Sequence, residues 1–112
     1  MNDIKLQIIL TGGRIDSIWD KGVDEIVVSP HSVIPGFFKD LGLTLPIIFT
    51  EICMKDSSQI DDEDRKKMLE AIEKSDTPKI ILTHGTYTML DTAKYLQKNL
   101  KRKYAIVILV GA

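Results

Sequence analysis

The chain has 112 residues, 44% of them hydrophobic and 28% charged, with a formal net charge of −1. That length fits one domain with one core, burying roughly two-thirds of the surface its unfolded chain would expose. The near-zero charge argues against nucleic acid or an anionic membrane as partner, and no apolar run is long enough to span a bilayer.

In chain order, Met1-Asn2-Asp3-Ile4-Lys5 leads into no long apolar stretch, so no secretory leader is expected. Ile4–Leu10 is the first of four short runs rich in Ile, Val and Leu; the others are Leu45–Cys53, Lys79–Thr83 and Ala105–Val110. They are nearly continuous rather than alternating, the pattern of strands buried on both faces of a parallel sheet. Ile15–Val28 breaks the rhythm. There, Ser17–Trp19 and Glu25–Val28 predict a small hairpin around Lys21-Gly22, a flap beside the end of the first strand.

The first helix is expected after Ser32 as N-cap, with Pro35 in its first turn and Gly42 as its stop. Val33, Ile34, Phe37, Phe38 and Leu41 would form its apolar stripe. A second helix should begin near Asp61, where Asp61, Asp62, Glu63 and Asp64 suit the positive end of a helix dipole. Its core face would carry Met68, Leu69 and Ile72. The third has the clearest spacing, Met89, Ala93, Leu96 and Leu100, with Thr88 and Asp91 as a weak capping box. Lys98, Lys101, Arg102 and Lys103 form a basic cluster where that helix should end, complementing its dipole. Strands alternating with helices imply right-handed crossovers and a parallel sheet. The fourth strand ends at Val110 with no helix to cover it. The expectation is that a partner covers that edge, most simply in a homo-oligomer, or that residues are missing.

Cys53, the single cysteine, lies in an apolar run. A buried thiol in a reducing cytoplasm is expected rather than a nucleophile. Chemistry in an open parallel sheet belongs outside the carboxyl ends of the strands. Three polar motifs fall there: Thr11-Gly12-Gly13-Arg14-Ile15, Lys55-Asp56-Ser57-Ser58-Gln59 and Thr83-His84-Gly85-Thr86-Tyr87-Thr88. Their convergence says more than any one of them. Alone, the glycines are tight turns, Asp56 and Ser57 a turn or a cap, and Tyr87 a space-filler. His84 has no companion at ligand spacing, so no metal is expected.

Thr11-Gly12-Gly13 followed by Ile15-Asp16-Ser17, then Lys55-Asp56-Ser57-Ser58, then Thr83-His84-Gly85-Thr86-x-Thr88-Met89 with Thr92-Ala93 following, resemble the bacterial-type L-asparaginase/glutaminase family in the same order. The closing Val110-Gly111-Ala112 looks like that family's fourth strand and the start of its next loop. The resemblance implies a single domain over residues 1–112. That domain would be a fragment of a flavodoxin-like α/β three-layer sandwich, with a four-stranded, mostly parallel sheet and about three helices. A family member is much longer, continuing into a smaller C-terminal domain that this chain is expected to lack, and usually assembles as tetramers of intimate dimers.

The family hydrolyses the side-chain amide of asparagine or glutamine, without a cofactor. One threonine attacks, assisted by a flap tyrosine, and a second threonine works with an aspartate and a lysine. Carried over by position, Thr11, Gly12, Gly13, Asp56, Ser57, Gly85 and Thr88 would bind substrate. The nucleophile position holds Arg14, which only donates hydrogen bonds. Ile15–Val28 contains no tyrosine. Thr86 matches the second threonine, but Tyr87 stands where its aspartate belongs, and the triad lysine would lie beyond Ala112. The resemblance therefore implies an asparaginase-like domain with a broken site. Two alternatives stand beside it: a module binding a small carboxylate or other anion through Arg14, and an oligomerising interaction protein. Arg14 is equally expected to pair with Asp16, Asp56 or Asp91.

Overall fold

The computed structural model describes residues 5–43 and 45–112; the predicted start of the first strand, Ile4, lies outside them. The elements in order are β1 (Leu6–Gly12), β2 (Ser17–Asp20), β3 (Glu25–Val28), α1 (Ile34–Asp40), β4 (Ile47–Lys55), α2 (Asp62–Lys74), β5 (Lys79–Thr83), α3 (Met89–Asn99) and β6 (Ile106–Val110). Four strands form one sheet in the order β4-β1-β5-β6, every pair parallel. β2 and β3 form the expected antiparallel hairpin, Ser17 opposite Val28 and Asp20 opposite Glu25. The fold is thus α/β with a four-stranded parallel sheet and three helices.

Alternation along the strands divides the sheet into two faces. Ile9, Ile80 and Leu82 point to one face, where they pack with Ile60, Met68 and Ile72 of the α2 region and Leu96 of α3. Ile8, Ile81 and Val110 point to the other. There, Ile15 and α1 residues Ile34, Phe37 and Phe38 enclose an apolar cavity of about 330 Å³ with them. Central β1 is covered on both sides, which is why its apolar run is continuous: Ile8, Ile9 and Leu10 are all at most 2% exposed.

α2 starts as its acidic first turn predicts. Asp61 Oδ1 accepts from the Asp64 N–H at 3.0 Å, and Asp64 Oδ2 accepts from the Asp61 N–H at 3.1 Å, a reciprocal capping box. Lys55 at the end of β4 adds a 2.7 Å ion pair to Asp64, so the strand's last residue is bonded to the helix's first turn. The Asp64 carboxylate raises the Lys55 pKa.

Three expectations are corrected. The α1 stripe is only partly a core face: Phe38 packs against Phe49 with ring centroids 5.6 Å apart and the rings tilted by 57°, but Phe37 and Leu41 are 63% and 69% exposed. Successive residues lie about 100° apart on so short a helix, so Phe37, beside Phe38, only edges the apolar pocket and stays largely in solvent. Nor does Thr88 cap α3 by a box with Asp91; its hydroxyl donates instead to the Ser57 carbonyl at 2.7 Å. Lys98 does sit in the last turn of α3, but Arg102 serves a different helix. Its guanidinium donates to the carbonyls of Ile72 and Ser75 at 3.0 and 2.9 Å, at the C-terminal end of α2.

β6 is the sheet's outer strand on the β5 side, and Ile106 and Ile108 are 63% and 53% exposed on it. Among the described residues, no helix is long and apolar enough to cross a membrane.

Candidate functional site

β4 and β5 flank β1 on opposite sides, so the chain's direction of winding reverses between them. In open α/β sheets it is at such a reversal, above the carboxyl ends of the strands, that ligands bind. The three polar motifs close around it, and glycines let them approach. Gly12 (φ 99°) lies so near β4 that a β-carbon on it would sit 2.5 Å from Lys55 N. One on Gly13 (φ 84°) would sit 2.6 Å from Gly85 N. One on Gly85 would fall 2.6 Å from Ser57 Cβ. The Gly13 N–H completes the join by donating to the Lys55 carbonyl at 3.0 Å. Backbone therefore meets backbone across three loops, at distances no larger residue allows.

The named side chains divide into those that build this junction and those left open above it. Thr11 is fully buried; its hydroxyl donates to the Thr83 carbonyl and its N–H to Thr83 Oγ1 at 3.3 Å, so it clamps β1 to β5. Ser57 is buried over Gly85, and Thr88 is half-buried against the Ser57 carbonyl. Asp56 begins a short turn, accepting from the Ser58 N–H at 3.2 Å and from the Ser58 hydroxyl. Those two bonds hold its carboxyl below the usual range, with the Arg14 charge a smaller contribution.

Arg14, Thr86 and Tyr87 are exposed, as is Asp56. Tyr87 is 82% exposed, so the expectation that it fills space is corrected: it lies outside the packed interior. Arg14 makes no ion pair among the described residues. Asp16, one of its expected partners, is fully buried and otherwise engaged. Its carboxylate accepts from the Val33 N–H at 2.8 Å and from the Ser32 hydroxyl, and its carbonyl accepts from the Ser29 N–H at 3.1 Å. Asp16 thus fastens the return of the β2–β3 hairpin to the entry of α1.

Two residues that sequence reasoning did not place in the site lie directly beneath it. His84 and Thr92 are both fully buried and hydrogen-bonded to each other. Burial, the largest cause, and the Arg65 charge lower the His84 pKa, against a raising contribution from its bond to Gly85. The His84 N–H donates to the Val110 carbonyl at 2.9 Å, and a β-carbon on Gly111 would collide with the His84 carbonyl, so β6 closes on the same point. A signal existed for Thr92: it stands four residues before Leu96, a polar residue on an apolar helical face.

Cys53 is half-buried and donates to the Thr11 carbonyl at 3.6 Å; burial pushes its thiol up to about 11, which keeps it protonated and poorly nucleophilic. Among the described residues, no three His, Cys, Asp or Glu side chains are grouped to hold a metal ion.

A sequence profile described as "Asparaginase, N-terminal" matches residues 5–112. Among solved structures, a probable cytoplasmic L-asparaginase from Campylobacter jejuni is similar at 29% identity and a TM-score of 0.77, and the thermostable L-asparaginase from Thermococcus kodakarensis at 25% identity and 0.72. Each match covers 96% of this chain but 34% of the other, so the chain spans about one third of the length of the structures it matches. A comparison with curated protein sequences found no match. With the profile running through every strand, helix and strand-end loop described above, the chain belongs to the asparaginase N-terminal domain family.

Proposed function

We propose that the chain keeps the scaffold of an amide-hydrolase site without hydrolysing amides. The observation that carries this reading is Arg14, exposed on the first strand-end loop directly after the Gly12-Gly13 junction, where the family resemblance puts an attacking threonine. A guanidinium has no lone pair to attack a carbonyl and no proton to surrender near neutral pH. Thr86, the other hydroxyl, is followed by Tyr87 rather than a carboxylate, and a threonine needs a partner to draw off its proton. The hairpin between residues 15 and 28 offers Trp19 but no tyrosine. Purified protein supplied with asparagine or glutamine is expected to release no ammonia above background. Steady turnover on the order of 1–1000 per second would sink the reading.

The same arginine favours a second use of the loops, the binding of a small carboxylate or other anion. Its guanidinium is exposed and without an ion pair among the described residues, and a carboxylate or phosphate would offer it a bidentate, charge-assisted contact. Asp56 is the competing acid. Titration with succinate, aspartate and phosphate should shift the NMR signals of Arg14 and Thr86 in the native chain and not in Arg14→Ala. No shift at concentrations of roughly tens of millimolar would rule this use out.

For assembly, we propose a two-fold dimer through β6. Every residue of Ile106–Val110 is apolar, so the strand is complementary to itself in an antiparallel pair, and pairing would cover the exposed Ile106 and Ile108. Light scattering at micromolar concentration should return twice the chain mass of 12.6 kDa; a stable, folded monomer would contradict it. A cytoplasmic setting is supported by the lone, protonated Cys53 and by the similarity to the probable cytoplasmic L-asparaginase of Campylobacter jejuni.

A further inference from the structure

We propose that Arg65, Thr92 and His84 form a directed hydrogen-bond chain whose task is to position the turn over residues 85–88 from beneath. The contacts run from solvent to turn. Arg65 donates from Nη1 to Asp62 Oδ1 at 3.0 Å and from Nε to Thr92 Oγ1 at 3.0 Å. Thr92 Oγ1 lies 2.7 Å from His84 Nε2, and His84 Nδ1 lies 2.6 Å from the Gly85 carbonyl oxygen.

Proton inventory fixes every direction. A carbonyl can only accept, so Nδ1 carries a proton. A neutral imidazole has one, so Nε2 must accept, and the Thr92 hydroxyl donates to it. The Thr92 oxygen is then free to receive the Arg65 N–H. Protonating His84 would place a second donor against an oxygen already facing a guanidinium, in a fully buried site. The neutral Nδ1–H form is the one the surroundings accept.

Each link belongs to a different element: Arg65 to α2, Thr92 to α3, and His84 to the end of β5. The Gly85 carbonyl is thereby tied to both helices, while Ser57 presses on the Gly85 α-carbon and Thr88 holds the Ser57 carbonyl. The turn is fixed from below and from one side, with Thr86 and Tyr87 presented outward. His84 and Thr92 are positioning residues: they touch the turn's backbone, not its open face. The functional consequence rests on reading this turn as part of the candidate site, but the chain itself does not.

NMR of the whole chain tests it. In the native protein, the His84 ring should show a protonated Nδ1 and an unprotonated, hydrogen-bond-accepting Nε2. Thr92→Val removes the donor to Nε2, and the Nε2 signal should then lose its hydrogen-bond shift while Nδ1, still facing the Gly85 carbonyl, keeps its proton. Hydrogen exchange at the His84 and Met89 amides, which donate to the Val110 and Thr86 carbonyls on either side of the turn, should quicken at least about tenfold as the turn opens more often. Thr92→Ser, which keeps the hydroxyl, should restore both. A native His84 protonated at Nε2 overturns the inference, as do unchanged exchange in Thr92→Val or failure of Thr92→Ser to restore it. Should Thr92→Val not fold, the native ring measurement still decides. Ammonia release by the chain would refute the proposed function and leave this inference standing, whereas a wrong tautomer would do the reverse.

Discussion

The structure depends on one contact that side chains would forbid. Gly13 lies against the backbone of Gly85, and Gly85 against Ser57, at separations where a β-carbon would be about 2.6 Å from its neighbours. Three parallel strands lie roughly 4.8 Å apart, and their ends splay with sheet twist. Loops that carry on from such strands meet above them only if their backbones can come into contact. Glycine at 12, 13 and 85 permits that, and the positive φ at Gly12 and Gly13 turns β1 out of the sheet. The junction makes a floor. Arg14, Thr86 and Tyr87 stand exposed beside that floor rather than forming part of it.

Much of the acidic sequence serves this frame. Asp16 is buried and accepts from Ser32 and Val33 to hold the hairpin return to α1. Asp64 joins a helix cap to the end of β4 through Lys55. Glu73 receives the N–H groups of Lys101 and Arg102 at 2.9 and 3.0 Å, anchoring the segment that leads into β6. In each case a carboxylate accepts from donors on a neighbouring element, and for the buried Asp16 and Asp64 this is the arrangement in which buried charge is tolerated. Arg14 is outside this scheme: it is exposed and makes no ion pair among the described residues.

Strands, helices and their order were legible because each rests on a local cause. Continuous apolar runs marked β1, β5 and β6, and β5 over Lys79–Thr83 agrees to the residue. The acidic run marked the start of α2, and Lys21-Gly22 the hairpin turn between β2 and β3. What could not be read is set by contacts distant in sequence. Thr88 has the right type for a cap, but the Ser57 carbonyl, 31 residues away, takes its hydroxyl. The Arg102 side chain belongs to α2 only because the chain folds back on that helix. Thr11 looked like a ligand from its place in a motif, yet it is closed in by Thr83, 72 residues on. That the three loops meet was legible in the sequence; what lies beneath them, His84 with Thr92, was not, since a histidine in a motif does not reveal which way it faces.

The glycine junction is most directly tested at Gly85. Its φ lies outside the left-handed region, so an alanine there carries no penalty beyond the space it needs. Gly36, in α1 with nothing within 4 Å of its would-be β-carbon, is the matched control. Urea unfolding of Gly85→Ala should show a loss of about 1–3 kcal/mol, the usual cost of forcing a group into a filled space. Gly36→Ala should be neutral or slightly stabilising, as alanine is in a helix. Equal stability of Gly85→Ala and the native chain would mean that the three loops do not meet as described, and the account of the site would fall with them.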